Sequence, residues 1–249
     1  MPGERIDNRQ VLAVTGTDRQ DFLQGLVTND VVKLKDGLVY AALLSPQGKY
    51  LADFFLVPGD DAILIDVAEA LAPVLLKRLN MYRLRADVAI APVEMEVSRG
   101  LGPAPQQAYP DPRTPALGWR AYDLGGVAPS RDWDMLRVAN MIPETGVELT
   151  PDDSYILEMN FERLNGVDFK KGCYVGQEVT ARMKHKTELR KGLAQVQITG
   201  TATPGTPITA EGKPVGILHT VASTQGLAYL RFDRATGKMQ AGKATITAS

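Results

Sequence analysis

Residues 168–186 read DFKKGCYVGQEVTARMKHK and hold the only cysteine in a chain of 249 residues. Cys173 follows Lys171 by two positions, and Gly172 and Gly176 bracket it, glycine being the residue that permits turns and close approach of backbone to a ligand. In an extended segment Lys171 and Cys173 project to the same side, because the strand period is two. An ammonium beside a thiol favours the thiolate, the reactive form. A buried, inert thiol is the ordinary alternative, and on this pattern alone it is the commoner one. The spacing is not that of a phosphate-binding P-loop. His185 is near enough in sequence for a cysteine-protease pairing, but no local signature supports one.

The same stretch opens a basic run, with Lys170, Lys171, Arg182, Lys184, Lys186, Arg190 and Lys191 set against Glu178 and Glu188. Such a run is either a solvated face or a cradle for a polyanion, RNA phosphates or a carboxylate-rich small molecule. Tyr174 is its only ring, so stacking recognition of single-stranded RNA finds little support. The net charge of −1 gives no global pull toward nucleic acid or anionic lipid. A single cysteine excludes an internal disulfide and cannot supply the usual thiolates of a resident iron–sulfur cluster. Two histidines leave little material for zinc. No apolar run approaches the roughly 20 residues of a membrane-spanning helix, and MPGERIDNRQVLAV lacks the plan of a signal peptide. Together these predict a cytoplasmic protein with no membrane partner.

Working outward, VLAVTG (11–16) reads as a strand, and Thr17 with Gln20 as a capping box for a helix carrying Phe22, Leu23 and Leu26 on one face. LVYAALLS, KYLADFFLV and AILIDV are β-rich runs separated by the turn sequences SPQGK and PGDD. AEALAPVLLKRLNMY reads as a helix with Pro73 in its first turn, and DVAIAPVEMEVS as one or two strands. The Pro- and Gly-dense stretch 100–115 reads as a surface connection, followed by β-like LGWRAYDLGG and a helix at RDWDMLRVANM. After Arg190 the chain turns to short strands with Gly/Pro turns, the pattern of a small antiparallel barrel. The expected division is an α+β body over 1–188, built of two interleaved modules, and a β-barrel over 189–249.

KGCYVGQE followed by Arg182 resembles the signature of the YgfZ-type folate-binding proteins, relatives of the aminomethyltransferase (T-protein) of glycine cleavage. VTGTDRQDFLQGLVTNDV, LLSPQGKYLADFFL, DPRTPALGWR and MIPETG resemble further segments of that family, and NGVDFKKGCYVGQEVTAR resembles its iron–sulfur assembly branch. The resemblance implies a ring-like T-protein-type fold with ferredoxin-like modules and a C-terminal antiparallel barrel. It implies a tetrahydrofolate cofactor and a role in making or maintaining iron–sulfur enzymes, including those that modify tRNA. Iron–sulfur assembly proteins or client enzymes are the implied partners, met transiently through Cys173. Lys171 and Cys173 are then the chemical pair, with Gly172 and Gly176 as motif residues. Asp30, Trp133, Tyr174, Gln177, Glu178 and Arg182 are the implied folate contacts. T-proteins carry Glu-Ala-Gly where this chain has Ala139-Asn140-Met141, so a carboxylate that helps to hold folate is absent. A folate-dependent one-carbon transferase, with Asp30 or Glu178 assisting proton transfer, is the enzymatic alternative. An RNA-binding module using the basic run is the other.

Overall fold

The computed structural model describes residues 3–185 and 188–248. They fall into two compact units, residues 1–130 with 162–178, and residues 131–161 with 179–249.

In the first unit the chain runs β1 (Glu4–Arg5), β2 (Arg9–Thr15), α1 (Arg19–Gln24), β3 (Val39–Leu44), β4 (Tyr50–Pro58), β5 (Ile63–Ala68), α2 (Ala72–Arg83) and β6 (Ala89–Val93). It continues through β7 (Val97–Gly100), β8 (Tyr109–Pro110) and β9 (Trp119–Tyr122). A five-stranded antiparallel sheet has the order β3-β4-β5-β2-β6, and a four-stranded sheet the order β1-β7-β9-β8. Strand alternation sorts the larger sheet into two faces. Leu12, Val14, Ala41, Leu43, Phe54, Leu56, Ile65 and Val67 join Leu23 of α1 and Leu75 and Leu79 of α2 in one apolar core. Arg9, Tyr40, Asp53, Phe55 and Asp66 therefore point the other way. Pro73 lies in the first turn of α2, where its missing N–H costs nothing.

The expected capping box does not form. The Thr17 hydroxyl and amide instead donate to Asp87 Oδ2, at 2.9 and 3.2 Å. Asp18 occupies the N-cap of α1 without a side-chain cap bond, and its carboxylate accepts the Asp87 amide at 2.8 Å. A partner about 70 residues away has displaced the local motif, since tertiary contacts override short-range preference.

In the second unit Asp132 caps α3 (Trp133–Ala139), accepting hydrogen bonds from the amides of Asp134 and Met135. The helix α4 (Gln177–His185) begins on the last residues of the first unit's range and ends on the second's. The barrel comprises β10 (Lys191–Thr199), β11 (Pro207–Ala210), β12 (Lys213–Ala222), β13 (Gln225–Arg231), β14 (Met239–Ala241) and β15 (Ala244–Ala248). It closes in the order β10-β13-β12-β11-β14-β15, with Val196, Ile208, Leu218, Leu230 and Ile246 among the side chains that fill it. Residues 131–161 belong to the same unit as the barrel. A buried cluster shows why. Arg137 Nη1 donates to the Ile142 carbonyl at 2.9 Å and to Glu148 at 3.1 Å, and Nη2 donates to Thr220 of β12 at 3.2 Å. The Thr220 hydroxyl in turn donates to Glu148.

No helix among the described residues is long and apolar enough to cross a membrane.

Candidate functional site

Residues 24–33 and 165–173 lie far apart in the chain but are stitched together in the first unit. Thr28 Oγ1 donates to the Gly166 carbonyl at 2.7 Å and accepts from the Ala42 amide at 2.8 Å. Asn29 Nδ2 donates to the carbonyls of Tyr40 (2.8 Å) and Asn165 (2.6 Å). The Asp168 amide donates to the Thr28 carbonyl at 3.0 Å, and Lys33 Nζ pairs with the Asp168 carboxylate at 2.7 Å. Lys171 completes the seam. Its ammonium donates to the carbonyls of Gln24 (2.8 Å), Val27 (2.6 Å) and Asn29 (2.9 Å). An ammonium has three donors, so all are used. The same nitrogen stands 5.2 Å from the centroid of the Tyr174 ring. Burial lowers the Lys171 pKa to about 8, against the pull of Asp30 and Asp168, which favour the charge.

Lys171 is 8% exposed, whereas Cys173 is exposed. The expected extended pair is therefore not what forms: no strand covers 168–176, and the two side chains face different surroundings. The physical reason is that a buried ammonium needs acceptors, and the last residue of α1 and the segment that follows it supply three. Lys171 anchors the loop, and the loop presents the thiol. Gly176 fixes the far side of this loop. It has φ +82°, and a Cβ there would lie 2.6 Å from the Ser45 carbonyl oxygen in the β3–β4 turn. Gly172, beside the thiol, has open space where a Cβ would stand. The Gln177 amide then donates to the Tyr174 carbonyl at 3.2 Å, and α4 begins. Glu178 lies in its first turn and Arg182, Lys184 and His185 in its last, each sign at the end where the helix dipole favours it.

Among the other expected contacts, Asp30 accepts from the Gln24 side-chain amide at 3.0 Å and from the Val32 amide at 3.1 Å, capping a short 3₁₀ turn. Tyr174 is buried beneath Lys171. Trp133, 7% exposed, opens α3 in the second unit, and Arg182 is exposed on α4. The structure thus groups Asp30, Lys171, Gly172, Cys173, Tyr174, Gly176, Gln177 and Glu178 in the first unit, and Trp133 and Arg182 in the second. Lys186 of the basic run lies outside the described residues.

The face of the large sheet turned away from the helices carries residues that sequence reasoning did not single out. Asp53 accepts from the hydroxyls of Tyr40 (3.0 Å) and Tyr50 (2.7 Å). Asp66, fully buried, accepts from Arg9 at 2.5 Å, Arg120 at 2.6 Å and the Tyr122 hydroxyl at 3.0 Å. Burial raises the Asp66 pKa, but Arg9 and Arg120 outweigh it and hold the carboxyl below its ordinary value. The guanidinium carbons of Arg120 and Arg113 stand 4.1 and 4.8 Å from the Phe55 centroid. Arg120 Nε is buried with no hydrogen-bond partner among the described residues. The signal was present in sequence: an aspartate inside each of the apolar runs LADFFLV and AILIDV. Among the described residues, no group of three or more His, Cys, Asp or Glu could hold a metal ion.

Residues 190–249 match the family model described as the CAF17 C-terminal beta-barrel domain. The crystal structure of the glycine cleavage system aminomethyltransferase T from Bartonella henselae superposes with a TM-score of 0.76 at 13% identity. It covers 98% of this chain and 83% of that one, a likeness of fold alone. That likeness bears out the expected T-protein-type α+β fold with its terminal barrel. The iron–sulfur cluster assembly factor IBA57, mitochondrial, of Mus musculus is 30% identical over 97% of this chain and 75% of its own length. Its Homo sapiens counterpart is 30% identical over 94% of this chain and 79% of its own. These relatives are named mitochondrial, which overturns the cytoplasmic expectation. A lone cysteine excludes an internal disulfide and specifies no compartment. By identity and coverage, the chain belongs to the IBA57 family of iron–sulfur cluster assembly factors.

Proposed function

We propose that this chain is an accessory factor in the assembly or maintenance of iron–sulfur enzymes, tRNA-modifying ones included, and that Cys173 is its working group. The observation that carries this reading is an exposed single thiol on a loop anchored by the three hydrogen bonds of Lys171. A thiolate is both a nucleophile and a soft ligand for iron. One thiolate falls short of the usual four ligands of a cluster, so a cluster held here takes its other ligands from a partner and is cargo rather than a resident group. The relatives' names support the same reading. In cells depleted of the protein, wild type should restore the activity of cluster-dependent enzymes, and Cys173→Ser at equal abundance should not. Full restoration by the serine variant would remove Cys173 from the function.

The proposal extends to a reduced folate as ligand, as the family resemblance implies. Folate offers a flat pterin with N–H donors and an anionic tail, so its site needs a carboxylate, aromatic surface and cations. Tyr174 is buried against Lys171, and Asp30 already accepts two internal hydrogen bonds on its Oδ1. The sheet face bearing Asp53, Phe55 and Arg120 fits better, since Arg120 Nε is a buried donor without an acceptor. Isothermal titration with tetrahydrofolate should show binding that Asp53→Asn weakens about tenfold, as for one charge-assisted hydrogen bond. Absence of binding would end the folate reading and leave that of Cys173 standing.

A further inference from the structure

One end of the barrel holds a concave pocket of about 710 Å³, between the β11–β12 hairpin and the β13–β14 connection. Its lining includes Lys213, Arg234 and Lys238, with Glu211, Thr236 and the apolar Val215. We propose that this pocket binds a small ligand bearing two or more anionic groups, phosphate or carboxylate. Neither Cys173 nor the sheet face around Asp53 takes any part in it.

The charge pattern carries the argument. Among the described residues, Lys213 and Lys238 make no ion pair. Arg234 has only Asp233, at 3.7 Å, and that carboxylate is shared with Arg231 at 3.6 Å. Glu211 is the one acidic side chain in the lining. Three cations against one carboxylate on one concavity make a local positive potential in a chain whose net charge is −1. Clefts lined by one sign of charge concentrate ligands of the other.

The scaffold is well defined. The hairpin register pairs Ala210 with Lys213, leaving Glu211 (φ 49°) and Gly212 (φ 74°) as a two-residue turn of the type that fits strand twist. Gly237, at φ 67°, turns the opposite wall. Val215, 1% exposed, forms an apolar floor continuous with the barrel core, and the Thr236 hydroxyl can add a neutral donor. The volume is that of a small-molecule site.

The test uses the full chain labelled with nitrogen-15, titrated at low salt with tripolyphosphate and, separately, with citrate. The expected result is saturable amide shifts confined to Gly212, Thr236, Gly237 and their neighbours, weakening as salt is added. Response to tripolyphosphate alone assigns a phosphate ligand, and response to citrate alone assigns a carboxylate one. Either supports the site. The double variant Lys213→Ala, Lys238→Ala removes two exposed side chains outside the core, so its melting temperature should match wild type while affinity falls at least about tenfold. Absence of saturable shifts at these amides with both probes, or unchanged affinity in the double variant, would overturn the proposal.

Discussion

Replacing Lys171 by methionine keeps the length of the side chain and removes its donors. Three carbonyls, those of Gln24, Val27 and Asn29, then lose the ammonium that served them. A buried acceptor left without its donor costs about 1–3 kcal/mol, so three cost about 6 kcal/mol at the middle of that range. Removing the charge gives part of this back. A pKa lowered from 10.5 to about 8 corresponds to about 3 kcal/mol of unfavourable charge burial at neutral pH. The net loss expected for Lys171→Met is therefore about 3 kcal/mol, a large fraction of an ordinary domain's stability. Urea unfolding followed by tryptophan fluorescence, with a shared slope for both proteins, reads it directly. Lys171→Arg should recover only part of the loss, because a planar fork cannot aim three donors at carbonyls converging on one nitrogen. A methionine variant clearly more stable than wild type at neutral pH would refute the anchoring role, since three orphaned acceptors even at about 1 kcal/mol each already cancel the relief of charge burial.

The remaining expectations concern the same loop and the second unit. Folded Lys171 holds its proton less tightly (pKa about 8) than unfolded Lys171 (10.5), so between those values the unfolded chain carries more protons and stability rises with pH. Wild type should thus gain on Lys171→Met as pH goes from 8 to 10 in paired unfolding curves, and a flat difference would dismiss charge burial as the cause. Gly176→Ala should cost about 2–4 kcal/mol, for a strained φ and a Cβ pressed on the Ser45 carbonyl oxygen, while Gly172→Ala should stay within about 1 kcal/mol. Equal losses at the two glycines would contradict that contrast. Arg137→Met strands the buried Glu148 and should destabilise the second unit by about 3–5 kcal/mol, checked by the thermal unfolding of that variant.

The architecture was largely legible because each element announced itself by period or by turn chemistry. The β-rich run AILIDV beside its turn sequence, Pro73 at the head of α2 and the Gly/Pro-punctuated strands after Arg190 all read locally, and the structure keeps them. Long-range pairing was not legible. Thr17 turned to Asp87 rather than to its own helix, and Lys171 to the backbone of residues 24–29 rather than to Cys173. Both choices depend on which backbone groups the fold brings near, information that spacing along the chain does not carry. Nor does spacing show that Asp30 uses its Oδ1 to hold the Gln24 side chain and the Val32 amide. The Asp53–Tyr40–Tyr50 group was visible only as a carboxylate in an apolar run. Its hydroxyl partners become apparent once β3 and β4 pair, with Tyr40 opposite Phe55 and Ala42 opposite Asp53.

The account turns on Cys173 being presented to solvent by an anchored loop, and the most direct measurement is the rate at which a thiol reagent modifies the native protein. With one cysteine per chain, the signal has a single source. The account predicts complete modification, one equivalent per chain, under conditions where urea curves show the protein folded. Denaturant should change that rate only modestly. A native rate near zero, with modification appearing only as the chain unfolds, would contradict the central claim and return Cys173 to the core.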